Sequence, residues 1–394
     1  MTIVRQTIEN TAMEPDPMSM FANWSYPTTI KFGVGRISEL QAACRDAKIS
    51  NPLFVTDKGL ANSQIANDAL NTLKTAVKFA DVDSNPTEKN LAAGLSEFKK
   101  GKHDGVIAFG GGSALDLGKL IALMAGQSVS VWDLEDVDDW WTRADAEKIV
   151  PIIAVPTTAG TGSEVGRAGV LTNSETKQKK IIFHPKLMPS IVICDPALTM
   201  GMPAAITSGT GMDAFAHCLE AYCSPHYHPM SQGIALEGMK LVKENLIRAF
   251  DQPNDETARA HMMSAAMMGA TAFQKGLGAI HALSHPIGAI HNTHHGTTNA
   301  VLMPTVLQLN KPKIEKQIER AAAYLEIENG WNGFCEFVNA LNAHLKIPQT
   351  LTELGVTDLN LEFIVTEALQ DPSCSGNPVP LNSANLRLCL LEAL

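Results

Sequence analysis

Gly105-Val106-Ile107-Ala108-Phe109-Gly110-Gly111-Gly112-Ser113-Ala114-Leu115-Asp116 runs from a short apolar stretch through three consecutive glycines into a segment of helical spacing. The apolar run has the length and β-branched content of a buried strand, and residues 114–125 continue as an apolar helical pattern. A strand that turns tightly into a helix opens a βαβ unit. Glycines let a backbone approach a pyrophosphate closely, and the free N–H groups and dipole at a helix start favour its charge. The stretch is not a GxGxxG fingerprint, and the acidic residue expected about 20 positions further on is not evident. Taken alone it also suits an ordinary tight turn.

Working outward, residues 53–56, 77–82, 149–155 and 191–194 read as further strands. Residues 60–73 and 87–100 read as helices, with Thr87 after Pro86 as an N-cap. This alternation predicts right-handed crossovers and a mostly parallel sheet, which binds ligands beyond the carboxyl ends of its strands. After about residue 200 the pattern changes. Residues 230–250, 257–275 and 314–325 are long helical patterns rich in Ala, Met and Leu, without strand runs between them. A second, all-helical domain beginning near Met202-Pro203 is expected, since a single core stops growing near about 250–300 residues. A small-molecule site is expected in the cleft between the two.

The chain has 394 residues, 45% apolar and 18% charged, with a formal charge of −10 and no basic block. That balance argues against nucleic-acid binding, which needs Lys and Arg to neutralise phosphates. Arg5, Glu9, Glu14 and Asp16 interrupt the stretch where a secretory signal needs an apolar run, and no run approaches the ~18 residues of a membrane span. The expectation is a cytoplasmic protein without membrane contact. Seven cysteines, an odd number without a CxxC pair, read as free thiols.

Further features carry chemistry. Pro156-Thr157-Thr158-Ala159-Gly160-Thr161-Gly162-Ser163-Glu164 also follows a strand and offers hydroxyls and glycines for a polar ligand, although Ser and Thr favour capped turns anyway. Asp57, at the end of an earlier strand, could accept hydrogen bonds from a ribose diol. Five of the twelve histidines, His281, His285, His291, His294 and His295, fall within the stretch 281–295. Asp213 and His217, spaced i, i+4, share a helix face. Carboxylate and imidazole together suit a divalent transition metal, iron or zinc. His281 and His285 form an HxxxH pair, but Ala282 stands where a zinc protease places its glutamate.

In this order, Gly110-Gly111-Gly112-Ser113, the loop 156–164, Gly211-Met212-Asp213-Ala214-Phe215-Ala216-His217, and Gly276-Leu277-Gly278-Ala279-Ile280-His281 through His285-Pro286-Ile287-Gly288 to His294-His295-Gly296 resemble the iron-containing (group III) alcohol dehydrogenase family. The resemblance covers the chain from about Phe32 onward. It implies a Rossmann-like dinucleotide-binding domain over residues 1–200 and an all-helical metal-binding domain over 201–394. It also implies NAD, one Fe2+ (Zn2+ being possible), a small alcohol or aldehyde substrate, and a homodimer or larger homo-oligomer. Matched residue by residue, the metal ligands are Asp213, His217, His281 and His295. His285 matches a histidine near the metal, with a proton-relay or nicotinamide-side role. The cofactor set is Asp57, Asn85, Gly111, Gly112, Ser113, Asp116, Thr157, Thr158, Thr161, Ser163 and Lys179 or Lys180, of which an ungapped reading favours Lys179. A carboxylate at Asp57 would repel a 2′-phosphate, favouring NAD over NADP.

Ala114 replaces the proline usual after GGGS, and Asn377-Pro378-Val379 lacks the arginine frequent after Asn-Pro. The first 25 or so residues match nothing in the family. Within this fold a hydroxyacid–oxoacid transhydrogenase or a 4-hydroxybutyrate-type dehydrogenase is the alternative. Arg167 could then meet a substrate carboxylate, against the simpler reading of a structural arginine. A metal-dependent hydrolase would use the histidines but neither loop nor Asp57. A non-catalytic nucleotide-binding module would leave the metal set without a role.

Overall fold

The structure, a computed structural model, describes residues 26 and 28–394. The reading of Arg5, Glu9, Glu14 and Asp16, and of the segment around them, falls outside the described residues. The strands, in chain order, are β1 (Thr29–Phe32), β2 (Pro52–Val55), β3 (Val77–Phe79), β4 (Gly105–Gly110), β5 (Ile152–Pro156), β6 (Ala168–Asn173), β7 (Gln178–Phe183) and β8 (Ile191–Cys194). Six of them form one sheet in the order β1-β8-β5-β4-β2-β3, every neighbouring pair parallel. β2, β4, β5 and β8 are buried at every position. Strands covered on both faces read as continuous apolar runs, which is why these four were visible in the sequence. β6 and β7 make a separate antiparallel hairpin that the pattern did not predict.

The crossover helices are α1 (Leu40–Asp46), α2 (Gln64–Asn71), α3 (Glu88–Gly101) and α4 (Gly112–Met124). Thr87 is the N-cap of α3, and its backbone N–H donates to the Asn90 side chain at 2.9 Å. α2 is shorter than the pattern over 60–73 suggested. Asp57 Oδ1 accepts from the Leu60 N–H at 3.0 Å and holds a turn there, so the helix begins only after the Ser63 cap. The strand expected from 149 starts at Ile152, after Pro151, and the one expected to reach 82 ends at Phe79.

From Ala204 onward the described elements are helical: α5 (Ala204–Cys223), α6 (Pro229–Asp251), α7 (Glu256–Ala272), α8 (Ala279–His291), α9 (His295–Tyr324), α10 (Gly330–His344), α11 (Leu361–Gln370) and α12 (Ser383–Glu392). Every residue of α5 from Thr207 to Cys223 is buried, so it has no solvent face. The main apolar core spreads from α5 through Phe215, stacked on Phe334 at 6.2 Å, to sheet residues Ala108, Ala154 and Val192. The pattern over 314–325 is only the end of α9, which passes through Pro304 and Pro312 without ending. Among the described residues no helix is long and apolar enough to cross a membrane.

Candidate active site

Encased α5 carries Asp213 and His217 one turn apart; His281 and His285 lie on α8, and His295 is the first residue of α9. The approach of α9 to α5 depends on glycine. A Cβ on Gly296 would come within 2.0 Å of the Gly209 carbonyl oxygen and 2.8 Å of Asp213 Cβ. His294 caps α9 by accepting from the Thr297 N–H at 3.4 Å, which fixes where the helix, and so His295, begins.

Asp213, His281 and His295 offer donor atoms within 4.8 Å of one another. Oδ1 of Asp213 is 3.9 Å from His281 Nε2 and 3.6 Å from His295 Nε2. His217, the fourth expected ligand, stands beside this trio, with its Nε2 3.8 Å from the same oxygen and its ring stacked on His281 at 4.8 Å. The amide nitrogen of Asn299 donates to Asp213 Oδ1 at 2.8 Å and lies 3.3 Å from Nε2 of both His281 and His295. A positive dipole thus sits where the donor atoms converge, and the set fits a divalent cation by geometry and by ligand type. Burial pushes His217 down to about 4, against the pull of Asp213. Burial and the neighbouring imidazoles His281 and His285 hold His295 well below its ordinary value. Both are therefore neutral at pH 7, the form that coordinates a metal. His281 differs. Burial works against its charged form, but the hydrogen bond and charge of Glu220, with Asp213, raise it above its ordinary value.

His285 keeps just outside the trio, its ring stacked on His295 at 5.3 Å and its Nδ1 2.7 Å from Oδ2 of Asp371. His291 closes the last turn of α8 and His294 caps α9, so neither joins the donor group.

The two glycine-bearing loops meet at the carboxyl ends of β4 and β5. Gly110 has φ +147°, and a Cβ there would lie 2.8 Å from that of Ala114. A Cβ on Gly112 would come within 2.6 Å of Thr161 Cγ2, and one on Gly111 within 3.2 Å of Thr158 Cγ2. Gly111, the N-cap of α4, brings no side-chain cap, which leaves the first-turn N–H groups available to a phosphate. Thr157, buried, binds back through its N–H to the Gly110 carbonyl at 3.0 Å. Ser163 Oγ donates to Asp116 Oδ1 at 2.5 Å, and the Val170 N–H donates to Asp116 Oδ2 at 3.1 Å. Fully buried Lys119 donates to the carbonyls of Ser163 and Ala168 and ties the loop to α4. Ser113 Oγ donates to the Ser84 carbonyl at 2.5 Å, and the adjacent Asn85 donates to Asn292, the C-cap of α8, at 2.6 Å. Asp57 turns its other oxygen toward Gly110.

An open cleft of about 800 Å³ lies beside His285, with Lys179, Lys180, Glu367 and Asp371 among its other walls. Lys180 is paired with Glu135 at 3.2 Å and Glu367 with Gln178 at 2.6 Å. Burial pushes Lys179 down to about 8, with Asp213 and Asp116 opposing. Arg167 lies over the Phe183 ring at 5.4 Å, and its charge acts on Asp136.

Four residues that the sequence reading did not single out shape the site. Glu220 lies seven residues after Asp213, on the same face of α5, and Asn299 lies four after His295, so helical spacing alone could have flagged both. Lys119 follows Asp116 by one turn. Asp371 sits on a capped turn far along the chain, and no local signal pairs it with His285.

The chain is similar to known proteins along nearly its whole length. The model of iron-containing alcohol dehydrogenase matches residues 27–196, and that of the C-terminal part of the Fe-containing alcohol dehydrogenase family matches residues 207–394. The 4-hydroxybutyrate dehydrogenase of Cupriavidus necator is 37% identical over 382 residues, covering 94% of this chain and 99% of that protein. The crystal structure of a 1,3-propanediol oxidoreductase superposes with a TM-score of 0.90 at 31% identity, covering 95% of this chain and 100% of that one. That of the sulfoacetaldehyde reductase of Bifidobacterium kashiwanohense, in complex with NAD+, does so with a TM-score of 0.85 at 28% identity, covering 95% and 99%. Family matches over residues 27–196 and 207–394, with a relative 37% identical over 94% of the chain, lead to one conclusion: this protein belongs to the iron-containing alcohol dehydrogenase family.

Proposed function

We propose that this chain interconverts a small alcohol and its aldehyde with NAD(H), using Fe2+ held by Asp213, His217, His281 and His295. The observation that carries the reading is the donor group of Asp213, His281 and His295, within 4.8 Å, beside a cleft lined by Lys179 and His285. A bound divalent ion polarises a carbonyl and stabilises developing alkoxide charge, while the nicotinamide exchanges the hydride. The chain's own residues do the rest. Gly111, Gly112 and Ser113, at the start of α4, receive the pyrophosphate, and Asp57 receives the adenosine ribose. Asp116 and Ser163, held by Lys119, with Thr157, Thr158 and Thr161, shape the floor under the nicotinamide; Asn85 and Lys179 close over the ribose. His285, with Nδ1 on Asp371, presents Nε2 to the cleft as the group that passes a proton.

A division near residue 200, into a dinucleotide-binding part and a metal-binding part, belongs to the same reading, as do a homodimeric or larger assembly and a cytoplasmic location. Zn2+ is the alternative ion, since one carboxylate and three imidazoles accept both. Identity with the Cupriavidus necator enzyme makes 4-hydroxybutyrate and succinic semialdehyde the first carboxylated pair to try.

The test is NADH consumption, followed by absorbance, with short neutral and carboxylated aldehydes, on protein loaded anaerobically with Fe2+ and on chelated protein. Turnover that needs the metal is expected. Equal rates with and without metal, or none with metal and NADH both bound, would overturn the proposal.

A further inference from the structure

We propose that Glu220 is a positioning residue of the metal centre, which aims Nε2 of His281 at the cation and supplies the second negative charge that a buried divalent ion requires. The inference rests on the metal-centre reading above. Oε2 of Glu220 lies 2.6 Å from Nδ1 of His281, and Oε1 accepts from the Ile280 N–H at 2.7 Å. One carboxylate thus grips both the ring of the ligand and the backbone beside it. With Nδ1–H committed to Glu220, the lone pair of His281 is on Nε2, the nitrogen that faces Asp213 Oδ1.

The charge balance is independent of that geometry. Asp213 brings one negative charge and neutral imidazoles bring none, so a divalent cation on the four expected ligands alone leaves one positive charge uncompensated. Three of the four ligands are almost dry, Asp213 being 2%, His217 4% and His281 1% exposed, while the side chain of His295 is 25% exposed. Buried charge is tolerated when it is paired. Glu220 is itself 6% exposed, and among the described residues no lysine or arginine forms an ion pair with it; its only salt-bridge partner is His281. The small cavity beside it is lined by Leu219, Val306, Leu307 and Ile314 together with Cys223 and the mutually bonded amides of Asn310 and Asn377, none of which is a cation. Its charge acts on His281 and His217, and also on the buried thiol of Cys223.

The test measures binding of Co2+ to the full chain, by competition titration and by the visible absorption of the bound ion, in wild type, Glu220→Gln and Glu220→Asp. The glutamine keeps the shape and loses the charge; the aspartate keeps the charge and withdraws from Nδ1. We expect Glu220→Gln to bind Co2+ about 10–100-fold more weakly, with an altered spectrum, while NADH binding, read by fluorescence, stays unchanged. Glu220→Asp should fall between the two. Wild-type affinity and spectrum in either variant would overturn the role of Glu220. Should the glutamine protein fail to fold, the aspartate protein decides alone by the same measurement. A wild-type chain that takes up no Co2+ would instead overturn the metal centre itself, so the two failures are told apart.

Discussion

Nδ1 of His285 and Oδ2 of Asp371 are 2.7 Å apart, joining α8 to a capped turn 86 residues further along the chain. Burial alone would raise the carboxyl of Asp371, but the charge and hydrogen bond of His285, with bonds from Ser373, hold it below its ordinary value. An ionised carboxylate only accepts, so Nδ1 carries the hydrogen and Nε2 is free for the cleft. His285→Ala is expected to lower kcat by about 10²-fold. Asp371→Asn should lower it by about 10-fold. Metal content and NADH affinity should not change in either; loss of metal in His285→Ala would make it a ligand rather than a relay.

His281→Ala should purify without stoichiometric iron and without measurable turnover, because it removes one of three converging donors. Elemental analysis beside the rate assay checks this. A fully active, iron-replete variant would sink the ligand set.

Gly112→Ala tests the contact between the two loops. The new methyl would meet Thr161 Cγ2 at 2.6 Å, and the neighbour has to move. Overpacking of this kind costs about 1–3 kcal/mol. Titration of NADH fluorescence should show weaker cofactor binding, while iron content stays at the wild-type level. Unchanged NADH affinity would place the cofactor elsewhere.

Lys179 gives cofactor binding a pH dependence. Burial lowers its ammonium to about 8 from an ordinary 10.5. Below about 8 the folded protein holds a cation at the ribose, and above it a neutral amine, so NADH affinity should fall as pH rises through 8. The effect on folding has the opposite sign. The unfolded lysine keeps its proton up to its ordinary value, so its cost to the folded state is present below 8 and fades between 8 and 10.5. Lys179→Arg should carry tight binding to higher pH, as dissociation constants measured from pH 6.5 to 9.5 would reveal; a flat profile in the wild type would contradict the assignment.

Arg167 should not choose between carboxylated and neutral aldehydes. Its guanidinium lies against the Phe183 ring, and its charge acts on Asp136. The ratio of kcat/KM for succinic semialdehyde to that for a neutral aldehyde of similar length is expected to be the same in Arg167→Ala as in wild type. A fall of tenfold or more would make Arg167 the carboxylate reader.

The parts legible in the sequence share one property: each is a local pattern. β4, the glycine turn and α4 were read from a single stretch, and Asp213 with His217 from helical spacing. The hairpin of β6 and β7 escaped because buried residues such as Leu171 and Ile182 stand among half-exposed ones of mixed polarity, which gives no clean period. α9 was read only at its end, since Pro304 and Pro312 mask a helix that its packing maintains. Asp371 was out of reach because its partner is set by the path of the whole chain. Glu220 was within reach, one face and two turns from Asp213, but a glutamate on a helix rarely announces burial.

Asp213, His217 and Glu220 share one helix without a solvent face, whereas the mouth of the cleft is built from β7, α11 and the turns beside them. The two surroundings differ in how much room they leave for change. A substitution in the buried stretch of α5 meets packed neighbours on every side, whereas one at Gln178, Glu367 or Gln370 changes the wall of an open cleft.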